Sequence, residues 1–298
     1  MSLFRNSISR LRHWITTPAI REMEYTRPDA ATQVMLRLAY QDRIRRGEPL
    51  PSFRDVGFKA YSQTDEDGIL WYIFSLIGET NRISVELCAG DGQECNSASL
   101  MIHHGWHGLL VDGNPSNVAK AEAFYFSHKA TRHFPPKTRQ AWITAENVNE
   151  LVSSNGFSGE IDLLTIDVDG MDYWLWKALT VVRPRVVVME YNTSAGPDQC
   201  VTVPYQPDFN GFNHSVTCGM PDYAGASLAA LISLGREKGY RFVGTNRADF
   251  NGFFVRDDLG VAELPMASLA DAFSSEHARW CMTTRWPKVR GCSWQAVP

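Results

Sequence analysis

Between residues 83 and 189, short apolar runs alternate with helix-like stretches, and this alternation constrains the fold more than any other feature of the chain. The runs occupy 83–88, 108–111, 161–166 and 185–189, with a further short strand expected at 141–144. Between them lie helical patterns near 98–104, 117–126, 148–153 and 173–179. A strand that is apolar on both faces needs cover on both faces, so this order predicts a parallel sheet with helices on each side. A helix over 226–238 and two strands, 240–244 and 252–255, close the sheet, and the short link between those strands permits a hairpin. The expected fold is therefore α/β: a doubly wound, mostly parallel, Rossmann-like sheet of seven strands with an antiparallel edge strand and a helical N-terminal extension.

The flanks read differently. Residues 1–59 form the extension, in which a helix over 29–46 is broken by Pro49 and Pro51. Asp65, Glu66 and Asp67 then open a helix that carries Ile69, Leu70, Tyr72, Ile73 and Leu76, an arrangement that suits the positive end of the helix dipole. Residues 60–256 make up the main domain. Within it the stretch 192–223 is rich in Pro, Asn, Asp and Gly and is expected to be a lid or substrate-binding insertion. Residues 257–298, with Trp280, Trp286 and Trp294, form a tail to which the sequence assigns no role.

Composition narrows the partners. A formal net charge of −4 argues against affinity for a phosphate backbone, so nucleic acid is not the expected partner. The six cysteines show no CxxC pair and no zinc-ligand spacing. No apolar run is long enough to span a bilayer and no signal-peptide core is present, which gives a cytoplasmic expectation. Residues 3–20 carry a basic amphipathic pattern, suited to packing on the chain's own domain or on a second subunit ahead of weak contact with a membrane surface. A homo-oligomer is left open.

The sharpest chemical signal is Glu86-Leu87-Cys88-Ala89-Gly90-Asp91-Gly92, directly after a strand and before a helix. Ligands of open α/β sheets bind at the carboxyl ends of strands, where glycine lets the backbone approach a cofactor closely. A dinucleotide site would want a third glycine, but Cys88 stands at the first glycine position, so a nicotinamide cofactor is the weaker choice. Twenty residues on, the second strand ends in Asp112-Gly113-Asn114-Pro115, where a carboxylate is placed to accept from the two hydroxyls of a ribose. Alone, Asp112 would read as a turn acid; beside the glycine turn, it reads as a nucleoside ligand.

With these motifs in order, the chain resembles the class I S-adenosylmethionine-dependent methyltransferases, and the run from Tyr61 to Val255 is similar to the FkbM-type subgroup. The resemblance rests on Ser62-Gln63 with Asp65, Asp67 and Gly68, on ELCAGDG with Asn96, on GWHGLLVDGNP, on IDLLTIDVDGMDYWLWKAL, on RVVVMEYN, on GASLAALISLGREKGYRFVG and on NGFFVR. It covers roughly two-thirds of the chain, with Cys88 departing from the usual glycine and much of the insertion matching no pattern. The resemblance implies S-adenosyl-L-methionine with its methionine end near Gln63, Gly90 and Gly92, its ribose on Asp112, and its adenine near Ala145, Glu146 and Asn147. It also places Glu86, Asp91, Asn96, Gly113 and Asp167 among the cofactor contacts. It implies a glycan or small-molecule acceptor, with methyl transfer to a sugar hydroxyl of a polysaccharide or glycosylated natural product.

The donor already carries its leaving group, so the protein must mainly position the acceptor and remove its proton. Asp167 and Asp169 end the fourth strand and Glu190 ends the fifth, so their carboxylates should converge. Crowded carboxylates call for a cation, and an oxygen-rich set suits Mg²⁺ or another divalent ion that would acidify a bound hydroxyl. The competing reading needs no metal: Asp167 holds the cofactor amine or the acceptor, and Asp169 caps the helix starting near Met171. His214, within the insertion, is the alternative base. Trp174 and Trp176 read as core, and His103 with His104 as a helix end. Other classes remain in view: an N-methyltransferase without metal, a nicotinamide-dependent oxidoreductase, and a non-catalytic scaffold.

Overall fold

The computed structural model describes residues 27–210 and 219–298. His214 and the basic pattern at 3–20 therefore lie outside the described residues.

The N-terminal extension supplies α1 (Ala30–Arg46) and α2 (Phe53–Val56), followed by α3 (Glu66–Ile77). The alternating region then gives β1 (Ile83–Leu87), α4 (Ala98–His104), β2 (His107–Asp112), α5 (Pro115–Ser127), β3 (Lys137–Gln140), α6 (Val148–Ser154), β4 (Gly159–Ile166), α7 (Asp172–Ala178) and β5 (Val182–Glu190). After a 3₁₀ turn (Thr193–Ala195) and β6 (Val201–Thr202) come α8 (Leu228–Lys238), β7 (Tyr240–Thr245) and β8 (Asn251–Arg256). The last stretch forms α9 (Leu269–Ala272), α10 (Glu276–Thr284), α11 (Trp286–Val289) and β9 (Gln295–Ala296).

Seven strands form one sheet in the order β3-β2-β1-β4-β5-β8-β7. The pairs β3–β2, β2–β1, β1–β4 and β4–β5 are parallel, and β8 runs antiparallel to both of its neighbours. The antiparallel strand thus enters one place in from the edge, which β7 occupies. Side chains alternate between two cores along each central strand. Val85, Leu164, Val187 and Phe254 face the core that holds Val152, Trp176 and Leu231, whereas Leu163, Val186, Val188 and Phe253 face the one that holds Ile73 and Met101. Each such buried aliphatic side chain stabilises the fold by about 1.5–3 kcal/mol, which is why the sheet is the rigid frame.

Local chemistry sets the boundaries. Asn114 caps α5 by accepting from the Ser116 amide, and Pro115 takes the first helical position. Ser227 caps α8 through the Ala230 amide, and Gly239 in the left-handed region ends it.

One expectation needs correction. The third strand runs over Lys137–Gln140 and not 141–144. At the sheet edge β3 is largely exposed and polar, so it lacks the apolar signal, while Trp142 turns outward and donates from Nε1 to the Pro207 carbonyl at 2.7 Å. The residues after 257 form helices packed on the domain: Phe273, Ala278, Cys281 and Val289 are buried, and β9 pairs with β6 of the insertion. Trp176 is core, as expected, while Trp174 reaches the insertion, its Nε1 donating to the Val203 carbonyl at 2.9 Å.

The extension docks through the Arg37–Glu79 ion pair and through a glutamine. Buried Gln33 meets His103 Nδ1 through its Nε2 and His104 Nε2 through its Oε1, both at 2.7 Å, and the His104 ring stacks on Trp71 at 3.6 Å. His103 Nδ1 accepts here and therefore must be unprotonated. Burial lowers the pKa of both histidines, that of His104 to about 4. The neutral rings belong to the folded state, so their contribution to stability is complete above about pH 6.5 and is lost as pH falls toward about 4. The urea midpoint should drop across that window, and drop less in His104→Phe, which keeps a ring on Trp71 but takes up no proton; an equal drop in both proteins would assign the loss elsewhere.

Candidate functional site

Strand order reverses between β1 and β4, the place where open α/β sheets bind ligands at their carboxyl ends. The turn after β1 is shaped by Glu86, whose side chain is buried at 3% exposure. Its Oε1 accepts from the Asn96 amide and its Oε2 from the Ser97 amide, both at 2.8 Å, so both oxygens are spent on holding the loop. Burial raises the Glu86 pKa, and these bonds oppose the rise. Asn96 is itself buried in this loop.

Cys88, Gly90 and Gly92 all lie in the left-handed region, with φ of 68°, 56° and 69°. At Gly92 a Cβ would come within 2.8 Å of the Ala121 Cβ, so glycine is required there for close packing of the turn on α5. Cys88 adopts a conformation that favours glycine, which explains why the resemblance expects glycine at this position. Its thiol lies 3.8 Å from Asp112 Oδ2, and burial followed by the nearby carboxylate charges raises its pKa, keeping it protonated. Asp91 accepts the Gln93 amide at 3.1 Å.

Asp112 joins the two motifs. Its Oδ2 accepts from the Gly90 amide at 2.9 Å, and its Oδ1 from the Asn114 amide at 2.8 Å and from Asn117 Nδ2 at 3.2 Å. The glycine turn and the strand-end acid therefore share one crevice. Trp142, half exposed, lies against the next residue, where a Cβ on Gly113 would meet its ring at 3.3 Å. Glu146 stands near this edge, but its carboxylate is engaged by the Tyr205 hydroxyl at 2.5 Å, which also lowers its pKa. Tyr205 and Pro207 belong to the insertion, so that segment crosses over the loop after β3.

The second motif lies at the ends of β4 and β5. Asp167, Asp169 and Glu190 bring carboxylate oxygens within 4.8 Å of one another. Asp169 is exposed, with φ of 54°, whereas Asp167 and Glu190 are part-buried residues whose carboxyls hydrogen-bond to each other. Burial first, then the charges of Asp172 and Asp169, pushes the Asp167 pKa up to about 7. Glu190 is raised well above its usual range by burial and by Asp167. Asp172, raised by burial to about 6, accepts from the Val168 and Gly170 amides at 2.9 and 3.1 Å. One sequence reading is corrected: Asp169 does not cap α7, whose N-cap is Met171 with no side-chain bond, and Asp172 instead holds the loop ahead of the helix. Gly170 has to be glycine because the Phe209 ring of the insertion lies 2.2 Å from where its Cβ would be. Among the described residues no ion pair joins a lysine or arginine to these acids.

A cleft of about 390 Å³ opens beside the cluster, lined by Gln63, Asp169, Glu190, Asn192, His277 and Arg285 among others. His277 and Arg285 come from α10 and the residue after it, a region in which sequence reading saw no function. Trp142 and Tyr205 were likewise missed: one lay in a wrongly placed strand, the other in an insertion without pattern. Gln63, placed by resemblance alone, does reach the cleft. A larger cavity of about 850 Å³ lies between the extension and residues 262–272, lined by Leu50, Phe53 and Met266, and includes none of the strand-end acids.

No protein-family model and no curated protein matches the chain. Among solved structures, the N-terminal domain of EvdMO1 with SAH bound shares 17% identity and a TM-score of 0.40, over 74% of this chain and 94% of that one. An S-adenosylmethionine-dependent methyltransferase from Clostridium acetobutylicum shares 10% identity and a TM-score of 0.40, over 72% and 95%. An O-methyltransferase family protein from Burkholderia thailandensis shares 11% identity and a TM-score of 0.40, over 76% and 70%. Likeness at this level carries nothing about the reaction, and the fold class rests on the strand order itself.

The Glu86 arrangement is open to test. Glu86→Ala strands two buried amides, each worth about 1–3 kcal/mol, so chemical denaturation should show a loss of at least that size. A change below about 0.5 kcal/mol would mean that water replaces the carboxylate and that the loop does not depend on it.

Proposed function

We propose that the chain is a class I S-adenosylmethionine-dependent methyltransferase of the FkbM type, acting on a hydroxyl of a sugar in a polysaccharide or glycosylated natural product. The observation that carries this reading is the 2.9 Å bond from the Gly90 amide to Asp112 Oδ2, which sets a glycine turn and a ribose-binding acid in one crevice where the strand order reverses. Two of the Asp112 contacts are weak, Cys88 Sγ at 3.8 Å and Asn117 Nδ2 at 3.2 Å, and these are the ones a ribose diol would displace. Trp142 beside Gly113 offers a face for adenine, and Gln63, Gly90 and Gly92 would take the methionine end.

The acceptor belongs in the cleft beside Asp169 and Glu190. Its volume of about 390 Å³ falls within the roughly 300–1,000 Å³ of small-molecule sites. Its polar lining suits a hydroxylated compound, and the resemblance supplies the sugar. Asp167, with a pKa pushed up to about 7, can change its protonation state near neutral pH, which suits a group that orients the acceptor from behind Asp169 and Glu190.

The same acids fit a divalent cation. They are hard oxygen donors within 4.8 Å of one another, against about 4.2 Å across an octahedral Mg²⁺ site, and among the described residues no lysine or arginine forms an ion pair with them. Asp167, Asp169 and Glu190 would hold the ion, which when bound supplies Lewis acidity to the acceptor hydroxyl. Both members of the Asp167–Glu190 pair must ionise for that, so affinity for the ion should weaken as pH falls below about 7.

Two measurements test this reading. Calorimetry with S-adenosylhomocysteine should give clear binding to the wild type and an affinity lower by about 1–3 kcal/mol in Asp112→Ala; unchanged affinity would remove Asp112 from the site. Glu190→Ala should abolish the heat of Mg²⁺ binding and lower turnover by ~100-fold or more, with S-adenosylhomocysteine affinity kept within about twofold. Parallel loss of cofactor affinity and turnover would contradict the role given to Glu190.

A further inference from the structure

The wall of the cleft opposite the family motifs is built by α10, and it carries a histidine backed by a buried acid. His277 keeps 47% of its side chain exposed and lines the cleft, while Asp249 behind it is closed to solvent at 1%. His277 Nδ1 lies 3.5 Å from Asp249 Oδ2. The same Oδ2 accepts from the Ser275 hydroxyl, and Oδ1 is buried without a hydrogen-bond partner. A buried carboxylate left half unsatisfied is costly unless a donor or a cation completes it.

Several elements hold Asp249 in that position. It sits in the turn between β7 and β8 with φ of 58°, a strained conformation for a residue with a side chain. Its carbonyl accepts from Thr193 Oγ1, in the 3₁₀ turn three residues after Glu190. Ser275 is the N-cap of α10, accepting from the Ala278 amide, so the contact that orients Asp249 also fixes the start of the helix that carries His277.

On the other side of the ring, His277 Nε2 lies 3.5 Å from Cys281 Sγ. The Cys-His-Asp sequence of contacts has the look of a nucleophile triad, but Cys281 is fully buried and cannot reach a substrate. Burial raises its pKa, so it remains a thiol and a weak donor, one that an incoming hydroxyl can displace from Nε2.

We propose that His277 is the general base that takes the proton of the acceptor hydroxyl, with Asp249 as the positioning residue that fixes its tautomer. This rests on the methyltransferase reading. The acceptor O–H proton passes to Nε2, and the oxygen lone pair forms the new C–O bond with the donor methyl. The methyl–sulfur bond breaks with its electron pair returning to sulfur, leaving neutral S-adenosylhomocysteine. The imidazolium formed meets the Asp249 carboxylate through Nδ1–H, so the new positive charge has a buried counter-charge waiting. Among the described residues, the other charged and titratable groups around the ring are Cys281 on its own helix, Arg285 just beyond that helix, Asp222 paired to Arg285 at 3.2 Å, and Asp169 and Glu190, which line the same cleft.

The test uses the full chain with S-adenosylhomocysteine bound and ¹⁵N-labelled histidine. At pH 7.5 the His277 resonances should show a protonated Nδ1 and a bare Nε2, and Asp249→Asn should move the proton to Nε2. With labelled S-adenosylmethionine and a panel of hydroxylated sugars, His277→Ala should lower kcat by ~100–10,000-fold and remove the acidic limb of its pH profile, with S-adenosylhomocysteine affinity kept within about twofold. A proton on Nε2 in the wild type, or a His277→Ala kcat within threefold of wild type, overturns the assignment of the base and leaves the methyltransferase reading intact. A wild type that binds no S-adenosylhomocysteine overturns both. The resonance measurement needs no acceptor and decides the tautomer even if Asp249→Asn fails to fold.

Discussion

The bond between the Gly90 amide and Asp112 is the constraint on which the site depends. It ties the end of β2 to the turn leaving β1, and Glu86 anchors the far side of that turn through the Asn96 and Ser97 amides. With both ends pinned, residues 88–92 can hold three left-handed positions, at Cys88, Gly90 and Gly92, without collapsing into the crevice. The rigidity comes from buried carboxylates that accept backbone amides, a kind of bond roughly twice as strong as its neutral counterpart. The sheet supplies the platform, but these acids decide where the chain may bend.

Much of this was legible because parallel strands buried on both faces leave unbroken apolar runs, as at Val186–Met189, where every residue is fully buried. The turn motif and Asp112 were legible because glycine and strand-end acids are position-specific. The edge strand Lys137–Gln140 was not, since a strand exposed on both faces carries no apolar period, and the neighbouring Ala141-Trp142-Ile143-Thr144 imitated one. The cleft wall was hidden for a different reason. His277 and Asp249 are 28 residues apart, and the packing of α10 on the 3₁₀ turn and the Ser275 bond to Asp249 bring them together. No local pattern encodes a contact made by tertiary packing.

Strain is concentrated where chemistry is proposed. Among the described residues, four without glycine's freedom adopt positive φ: Arg82, Cys88, Asp169 and Asp249. Three of them surround the crevice and its cleft, one in the turn after β1, one in the acid cluster and one behind His277. A surrounding structure that over-determines each position keeps it there. The acid cluster is held under the same kind of tension, since burial and mutual repulsion raise the pKa of both Asp167 and Glu190, whose carboxyls hydrogen-bond to each other.

The pairing of β9 with β6 also sets an order of assembly. Val201 and Thr202 bond to the stretch 225–227 on one side and gain Gln295 and Ala296 on the other only from the far end of the sequence, and α10 seats against the 3₁₀ turn from the same late stretch of chain. During synthesis the sheet up to β5 can condense and bury its aliphatic faces while the cleft still lacks a side. His277 and Arg285 supply that side, so a nascent chain that has emerged only as far as β8 carries the strand-end acids with no wall facing them.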